Sequence, residues 1–515
     1  MSAVMEATAP PVATDEKRRG RAAVLALARF EARELLLQIP VALTLVFYVG
    51  YTLYGLLFPE DGMDAYPALQ DVDRATQSGP SVLLGIALLV CVNRAALRSR
   101  RRGTDRHFDV LVMEPWRRTV AHALSVVPYA VGTALVVLGA FTWQALRPGA
   151  VGHGSVAELA VAPLFVLFCG VLGLLIARLF PAVFAAPVLV ILLFAVSVFV
   201  SASTGDAEWS RWLSPIVSEN SNETLPSDLI GRPAAWHALY LVGLVLLFVT
   251  GAVFAGHGGR RTWPVKAALA GTLVLTLTGA VGQGQGVSPE LTAAREKAST
   301  HPEKDQTCVR HGRSEYCAFP EWTVRTGTWA GVVDRVQNLA GGSAAEQPLV
   351  VRQRVEARYG LDGDGTIESS TTPHQVTVGT RWGGNRIPEF ASAVASALVA
   401  GDEAKGGELC DGRVVTVMWL AVGGASDPLS DFRHVRLDDS TSGSAIVLSP
   451  TSPLSMSAGQ TDVVREVLSS RPRAEVTSAV KSHWDELTAP GVKTADVARV
   501  LGVEAPKEAD DCVGE

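Results

Sequence analysis

The C-terminal part of the chain contains four cysteines, whose type and spacing indicate their chemistry most directly. They are Cys308, Cys317, Cys410 and Cys512. Disulfides persist in oxidising compartments, so an even number of cysteines would form pairs if this part of the chain lies outside the cytoplasm. The short loop through Gly312 favours a Cys308–Cys317 pair, which would leave Cys410 to pair with Cys512. Four free thiols are the alternative, and a zinc site is disfavoured because the spacing lacks paired Cys or His ligands.

Motifs for catalysis and nucleotide hydrolysis are missing from the sequence. It contains no Gly-x-x-x-x-Gly-Lys-Ser/Thr loop to cradle ATP phosphates, and no His-Glu-x-x-His or Gly-x-Ser-x-Gly motif for hydrolysis. No spacing of His, Cys, Asp or Glu indicates a metal site, and no block is basic enough to indicate nucleic-acid binding. We therefore predict a protein that is not an enzyme, with no catalytic residue, no metal ligand and no cofactor of its own.

A basic loop between two apolar stretches has the composition of a docking element. Its glycine can end the preceding helix, its threonine is a good N-cap, and its aspartate falls in the first turn of a new helix. An aromatic and two aliphatic residues then recur at helical spacing and would form an apolar stripe, which a proline ends. These residues are Gly103, Thr104, Asp105, Phe108, Leu111, Val112 and Pro115.

The elements that must position this loop are seven long stretches without Asp, Glu, Lys or Arg. Each is at least 19 residues long, and a hydrocarbon core of ~30 Å needs about 20 helical residues. Because backbone amides in lipid must pair internally, each stretch is predicted to be a transmembrane helix. The stretches are Leu35–Phe58, Ala75–Asn93, Thr119–Leu146, Leu159–Ala177, Leu179–Gly205, Pro233–Gly259 and Ala267–Pro289.

The distribution of positive charge orients these spans. Arg and Lys concentrate in the N-terminal tail, in residues 94–118, at Arg178 and around residues 260–266, whereas the other connections hold few. Cytoplasmic loops are enriched in these residues, so the N-terminus is predicted to be cytoplasmic. Seven crossings would then place the C-terminal block outside the cell membrane. The location expected is a multi-pass protein of the plasma membrane.

The chain is predicted to have three parts. Residues 1–16 would be a disordered tail, 17–289 a transmembrane domain, and 290–515 an extracytoplasmic α+β domain. In that last part, alternating or continuous apolar runs predict strands at Val350–Tyr359, Gln375–Trp382, Arg413–Val422 and Ala445–Ser449. Helical spacing predicts helices at Thr328–Ala340, Pro388–Ala400, Thr461–Ser469, Ala474–Leu487 and Thr494–Leu501.

The loop after the second span gives the chain a family resemblance. The series Gly103-Thr104-Asp105, Phe108, Leu111 and Pro115, with Arg33-Glu34 at the entry to the first span, resembles permease subunits of type-2 ABC exporters, of the kind common in actinobacteria. In that family such a segment is a coupling helix that docks on the ATPase subunit. The resemblance covers roughly residues 17–285. It does not extend to the seventh span and the C-terminal domain, because the family core has six spans with both ends cytoplasmic.

The resemblance implies the membrane-spanning permease subunit of an ATP-driven exporter. Its partners would be a separate ABC ATPase subunit, a second permease in a homodimer or heterodimer, and the lipid bilayer, with no nucleic acid. The C-terminal domain would have a binding or structural role. The alternative is a membrane-anchored sensor or envelope-assembly protein whose outer domain binds a ligand. Neither the substrate nor the direction of transport follows from the sequence.

Overall fold

The fold was analysed in a computed structural model. It describes residues 12–58, 67–70, 72, 76, 79–104, 113–201, 213–215, 225–230, 234–256, 263–358, 367–380 and 386–507, without the side chains of 12–17 and 197–201. The predicted tail 1–16 therefore lies largely outside the described residues, as does Cys512.

The N-terminal half is a bundle of helices. Long apolar helices alternate in it with short ones at their ends. The helices are α1 (Val12–Leu36), α2 (Ile39–Leu57), α3 (Gly79–Ala96), α4 (Arg98–Arg101), α5 (Pro115–Leu124), α6 (Val127–Ala145), α7 (Val156–Leu159), α8 (Val161–Leu179), α9 (Ala185–Ser201), α10 (Ala234–Gly256) and α11 (Trp263–Gly284).

Six helical runs among the described residues are long and apolar enough to cross a membrane. They are Ile39–Leu57, Gly79–Ala96, Pro115–Ala145, Val156–Leu179, Ala234–Gly256 and Trp263–Thr300. Six of the seven predicted spans thus have a long helix. The remaining one, Leu179–Gly205, contains α9, which has 17 residues and extends about 25 Å.

Prolines set the breaks inside the bundle. Pro128 has no N–H to donate, so the helical run is interrupted just before this residue. Helix α5 ends at Leu124, and α6 begins at Val127. Pro181 lies in the break between α8 and α9, because α8 ends at Leu179 and α9 begins at Ala185. Pro115 begins α5, and the helix it was expected to end lies outside the described residues. As the first residue of α5 it loses no hydrogen bond, since the first turn has no intrahelical acceptors.

Small residues allow the central helices to pack closely. A Cβ at Gly173 of α8 would overlap the backbone carbonyl of Leu89 in α3. Asn93 of α3 donates from Nδ2 to the same segment, the Gly173 carbonyl, at 3.2 Å. At the α10–α11 interface a Cβ on Gly243 would lie 2.7 Å from the Cα of Thr276. Close backbone approach at small residues is the usual basis of helix packing in lipid.

The C-terminal part is an α+β domain joined to α11 through a left-handed turn at Gly286. Its helices are α12 (Pro289–Thr300), α13 (Thr326–Gln337), α14 (Ile387–Ala400), α15 (Glu403–Gly407), α16 (Arg413–Val422), α17 (Pro428–His434), α18 (Ala458–Ser470), α19 (Arg473–Ser482), α20 (Trp484–Leu487) and α21 (Thr494–Leu501). Its strands are β1 (Thr307–His311), β2 (Ser314–Ala318), β3 (Val350–Gln353), β4 (Gln375–Val378), β5 (Ala445–Val447) and β6 (Leu454–Met456).

The main sheet of this domain has the order β1-β2-β3-β4. The first two strands form an antiparallel hairpin with Cys308 opposite Cys317, and the other neighbours are parallel. Helices α13 and α14 pack on this sheet, and α16 packs on α14. Trp322, Trp329 and Phe390 are buried in the core that these elements share. A separate pair, β5 and β6, is antiparallel.

One predicted strand is wrong, and others are shorter than expected. Arg413–Val422 forms helix α16, in which every residue from Val414 to Val422 is buried. A continuous apolar run loses its periodicity when the element is buried on all sides, so its pattern does not separate a strand from a helix. The predicted Val350–Tyr359 and Gln375–Trp382 strands are reduced to β3 and β4 within the described residues.

Candidate functional site

Only the two flanks of the predicted docking element belong to the described residues. Gly103 has φ +65°, a conformation that glycine adopts without strain. The Thr104 backbone N–H and hydroxyl both donate to the carbonyl of Ser99, at 3.0 and 3.3 Å. The entry is therefore a tight turn that ends α4. Asp105, Phe108, Leu111 and Val112 lie outside the described residues, so the helix and apolar stripe predicted for them stay predictions.

The other flank is held by a cluster around Glu114. This carboxylate accepts a hydrogen bond from the Trp116 indole at 2.6 Å and pairs with Arg117 at 3.2 Å. Arg118 donates to the carbonyl of Met113 at 3.4 Å. The Arg117 guanidinium also lies directly against Gly20 of α1, where a Cβ would overlap it. The start of α5 is thereby attached to α1.

Helix α1 is attached to the first flank as well. Arg98, in α4, lies 3.6 Å from a Glu31 oxygen and 3.9 Å from a Glu34 oxygen. The Tyr129 hydroxyl of α6 donates to the carbonyl of Ala32 at 2.7 Å. Burial raises the pKa of Glu31, and the positive charge of Arg98 opposes this rise. Both flanks are thus bound to one assembly of α1, α4, α5 and α6, which we call the basic end of the bundle.

The helices that follow return to the same end. Gly256 is the last residue of α10. A Cβ placed on it would lie 3.5 Å from the Thr119 hydroxyl oxygen and 3.8 Å from the Arg178 Nε. Arg178 belongs to the last turn of α8. The basic end therefore gathers the ends of α8 and α10 around α5, and a displacement of α5 would reach both helices.

The opposite end of the bundle joins the C-terminal domain, and we call it the domain end. Ala68, Val151, Leu225 and Leu229 come from three different connections between the long helices, yet they belong to the hydrophobic core of the domain. Ala68 and Val151 are also linked by a parallel β-bridge. The domain is thus packed on the bundle rather than tethered to it.

Polar contacts reinforce this junction. The Ser227 N–H donates to both carboxylate oxygens of Glu321, each at 3.1 Å, and the Ser227 hydroxyl accepts from the His153 N–H at 3.1 Å. Arg295 of α12, which is buried, donates to the carbonyl of Leu229 at 2.9 Å. Each satisfied bond removes the cost of burying these polar groups, so the arrangement is specific as well as apolar.

The cysteines divide between the two parts of the molecule. Cys308 and Cys317 form a disulfide across the β1–β2 hairpin, whereas Cys91 and Cys169, in the bundle, are free and buried. Cys410 is disulfide-bonded. Its predicted partner Cys512 lies outside the described residues, so that pairing stays a prediction.

A metal centre is not formed at the hairpin cysteines. Cys308, Glu315 and Cys317 have ligand atoms within 4.8 Å of one another, the one such group found among the described residues. Their two sulfur atoms are joined in the disulfide. They are therefore not the thiolates that bind metals.

Sequence reasoning missed the residues that hold the two ends together. Glu31 and Glu34 interrupt a basic segment at i, i+3 spacing, and this spacing was the available signal that one face of α1 has a partner. Glu321 and Arg295 carried no such signal, because their partners are backbone groups of distant connections. Comparison with protein-family models, curated proteins and solved structures gives no match. The fold defines the class: a mostly helical protein that has, among the described residues, six helices compatible with membrane crossing, and a C-terminal domain that contains a small sheet.

Proposed function

We propose that this chain is the membrane-spanning permease subunit of an ATP-driven, ABC-type exporter that works with a separate ATPase subunit. The observation that carries the proposal is the anchoring of both flanks of residues 103–115 in one assembly at the basic end. A force applied to that segment would move α1, α5 and α6 together, and through Arg178 and Gly256 would reach α8 and α10. Such linkage is what a coupling element requires.

The proposal of seven crossings is supported by which segments share an end. Val151 precedes α8, and Leu225 follows α9, yet both lie in the core at the domain end. The end of α8 lies at the basic end beside Gly256. Helix α9 is the long described helix between the end of α8 and Leu225. It therefore has to carry the chain from the basic end back to the domain end. This packing supports α9 as the fifth of seven crossings, despite its 17 residues.

Orientation is proposed from charge and oxidation state. The basic end carries the arginines of α1, α4 and α5, and we assign it to the cytoplasm of a plasma membrane. The domain end is then outside, where the Cys308–Cys317 disulfide would persist. Reporters fused at Gly103, Gly152 and Thr300 should read inside, outside and outside. A cytoplasmic reading at Thr300 would contradict seven crossings.

The mechanism proposed is alternating access in a dimer of permeases, either two copies of this chain or two different chains. Closure of the ATPase subunits would push on residues 103–115, and the helices attached at the basic end would tilt as a body. The sequence has no P-loop or hydrolase motif, so hydrolysis is assigned to the partner and no cofactor to this chain.

The test is association with the ATPase subunit after substitution of the predicted anchor. Phe108→Ala removes an aromatic side chain expected at the centre of the interface, and such truncations often cost ~2 kcal/mol or more. Co-purification should weaken by about thirtyfold. Arg101→Ala, an exposed residue of α4, is the matched control and should change little. Unchanged association of Phe108→Ala would leave the segment as a topology signal only.

A sensor or envelope-assembly protein is the second candidate. The observation that favours it is the shared core at the domain end, because a ligand bound to the domain would act directly on the connections of three helix pairs. An ATPase subunit that co-purifies with the chain in detergent would support the permease. If the co-purifying protein is instead an envelope protein, the sensor or assembly function is supported.

A further inference from the structure

Helix α1 has two faces with different charge. Its inner face packs on the bundle through Ala28, Glu31 and Leu35, which are buried, and through Gly20 at the Arg117 guanidinium. These residues recur every three or four positions, as one side of a helix does. Both acidic residues of α1 whose side chains are described, Glu31 and Glu34, pair with Arg98 of the bundle.

The outer face is basic, with large apolar side chains between the charges. Arg18, Arg21, Arg29 and Arg33 are exposed, and no ion pair with a described residue is recorded for them. Leu25 and Phe30 lie among them, 51% and 54% exposed. The acids are thus drawn to the inner face, and nothing in the described part of α1 neutralises the arginines of the outer face.

The end of this helix fixes its place relative to the long helices. Helix α1 ends at Leu36, the chain bends through Leu37 and Gln38, and α2 begins at Ile39. Leu36, Leu37 and Ile39 are all exposed. The outer face of α1 therefore continues directly into the first apolar helix, at the level where a membrane surface would begin.

We propose that the outer face of α1 binds anionic phospholipid headgroups. Arginine donates in a planar fork that matches a phosphate, and an anionic leaflet attracts basic segments near its surface. Leu25 and Phe30 would enter the acyl boundary while the arginines stay at headgroup level, as in interfacial amphipathic helices. The inference goes beyond transport, because it needs only that α1 lies along a membrane surface. The other occupant considered, an acidic surface of a protein partner, is an outcome of the test.

The experiment uses the full-length protein purified from nanodiscs that contain phosphatidylglycerol and phosphatidylcholine in equal amounts. Native mass spectrometry then counts the lipids retained. Wild type should retain phosphatidylglycerol in preference to phosphatidylcholine. The triple variant Arg18→Gln, Arg21→Gln, Arg29→Gln should lose that preference by about tenfold, because each basic residue near an anionic surface contributes measurably to lipid binding.

Two further variants separate the proposal from simpler explanations. The control Arg94→Gln, Arg101→Gln, Arg102→Gln removes the same charge from exposed positions of α3, α4 and the turn after α4 and should keep the preference. The variant with lysine at the same three positions of α1 keeps the positive charge and should retain most of the preference for phosphatidylglycerol. That result would exclude misfolding as the cause of a loss in the glutamine variant.

Three results would overturn the proposal. One is equal retention of the two lipids by wild type. Another is an equal loss in the control triple, which would mean that any positive charge at this end suffices. The third is unchanged lipid retention by the α1 triple glutamine variant together with impaired binding of an ATPase subunit, which would assign the outer face of α1 to a protein partner. None of these lipid measurements depends on transport, so their failure is distinct from failure of the permease assignment.

Discussion

The helix bundle and the C-terminal domain contain the same apolar residue types but place them differently. In the bundle, large side chains such as Leu43, Val46 and Phe194 point outward and are exposed. In the described residues from 289 onward, the exposed large hydrophobic residues are Val324, Leu437 and Ile446. Soluble surfaces rarely expose extended apolar area. The surface of the bundle is therefore compatible with lipid, and the surface of the domain is compatible with water.

Polar groups follow the same division. The domain buries Glu403 and satisfies it, since its carboxylate accepts from the Ser370 N–H at 3.0 Å and from the Thr377 hydroxyl at 2.9 Å. The long helices of the bundle have no Asp or Glu in their apolar stretches, as expected where water cannot solvate a charge. Truncation of an aromatic side chain, introduction of a charge and removal of a cysteine should therefore have different effects in the two regions.

Removal of a phenyl ring gives the largest contrast. Phe390→Ala in the domain core should lower the free energy of unfolding by about 3–5 kcal/mol through lost burial and a cavity. Phe194→Ala, at a side chain 70% exposed in α9, should change it by less than about 0.5 kcal/mol. Urea unfolding of the full chain in detergent, followed by tryptophan fluorescence, measures both. Equal effects would mean that α9 is packed against protein.

The domain should show a pH dependence of its own, through one buried carboxyl group. Glu389, near the start of α14, is 4% exposed, and burial raises its pKa to about 7, with Arg386 opposing and Asp431 reinforcing the shift. Between about pH 4.5 and 7 the folded state keeps a proton that the unfolded chain loses, so stability falls as pH rises. The loss is on the order of 3 kcal/mol.

The measurement that isolates this group is the difference between wild type and Glu389→Gln. The variant should not show that decline, because an amide does not titrate, while the other carboxylates contribute equally to both proteins. Parallel curves for the two proteins between pH 4.5 and 7 would refute the assignment.

A charge tests which solvent surrounds each region. Leu192→Arg, near the middle of α9 and 55% exposed, should cost about 2.5–3.5 kcal/mol of membrane insertion. Leu437→Arg, 64% exposed in the domain, should cost almost nothing. With a reporter fused to the C-terminus of the full chain, the fraction of reporters found outside the membrane should fall sharply in the first variant and stay constant in the second. Constant topology in both would place α9 away from lipid.

The smallest of these effects concerns the disulfide. The double variant Cys308→Ser, Cys317→Ser should lose about 2–3 kcal/mol of stability, the value that chain entropy gives for a loop of this length. Reduction of wild type should produce at least this loss, because it also breaks the disulfide of Cys410. In the unfolded protein, Cys91 and Cys169 should alkylate without reductant, and Cys308 and Cys317 only after reduction. Alkylation of all four without reductant would contradict the hairpin disulfide.

Sequence patterns predicted the elements that depend on local chemistry. Six of the seven long apolar stretches form long helices, because backbone pairing and lipid solvation act within one segment. Pro181 marked a break for a similarly local reason. Helices such as Ile387–Ala400 and Thr494–Leu501 also matched their patterns closely, because their amphipathic or apolar runs begin and end at clear boundaries.

Tertiary structure decided what local chemistry leaves open. Arg413–Val422 is a helix that its sequence pattern did not identify, because burial on all sides removes the periodicity that separates a helix from a strand. Leu225 and Val151 joined the core of a domain that begins more than sixty residues further along the chain. The ion pair between Glu31 and Arg98 likewise joins two residues that are far apart in the sequence. Such contacts link segments far apart in sequence, and whether they form depends on how whole elements pack, which no single stretch of residues encodes.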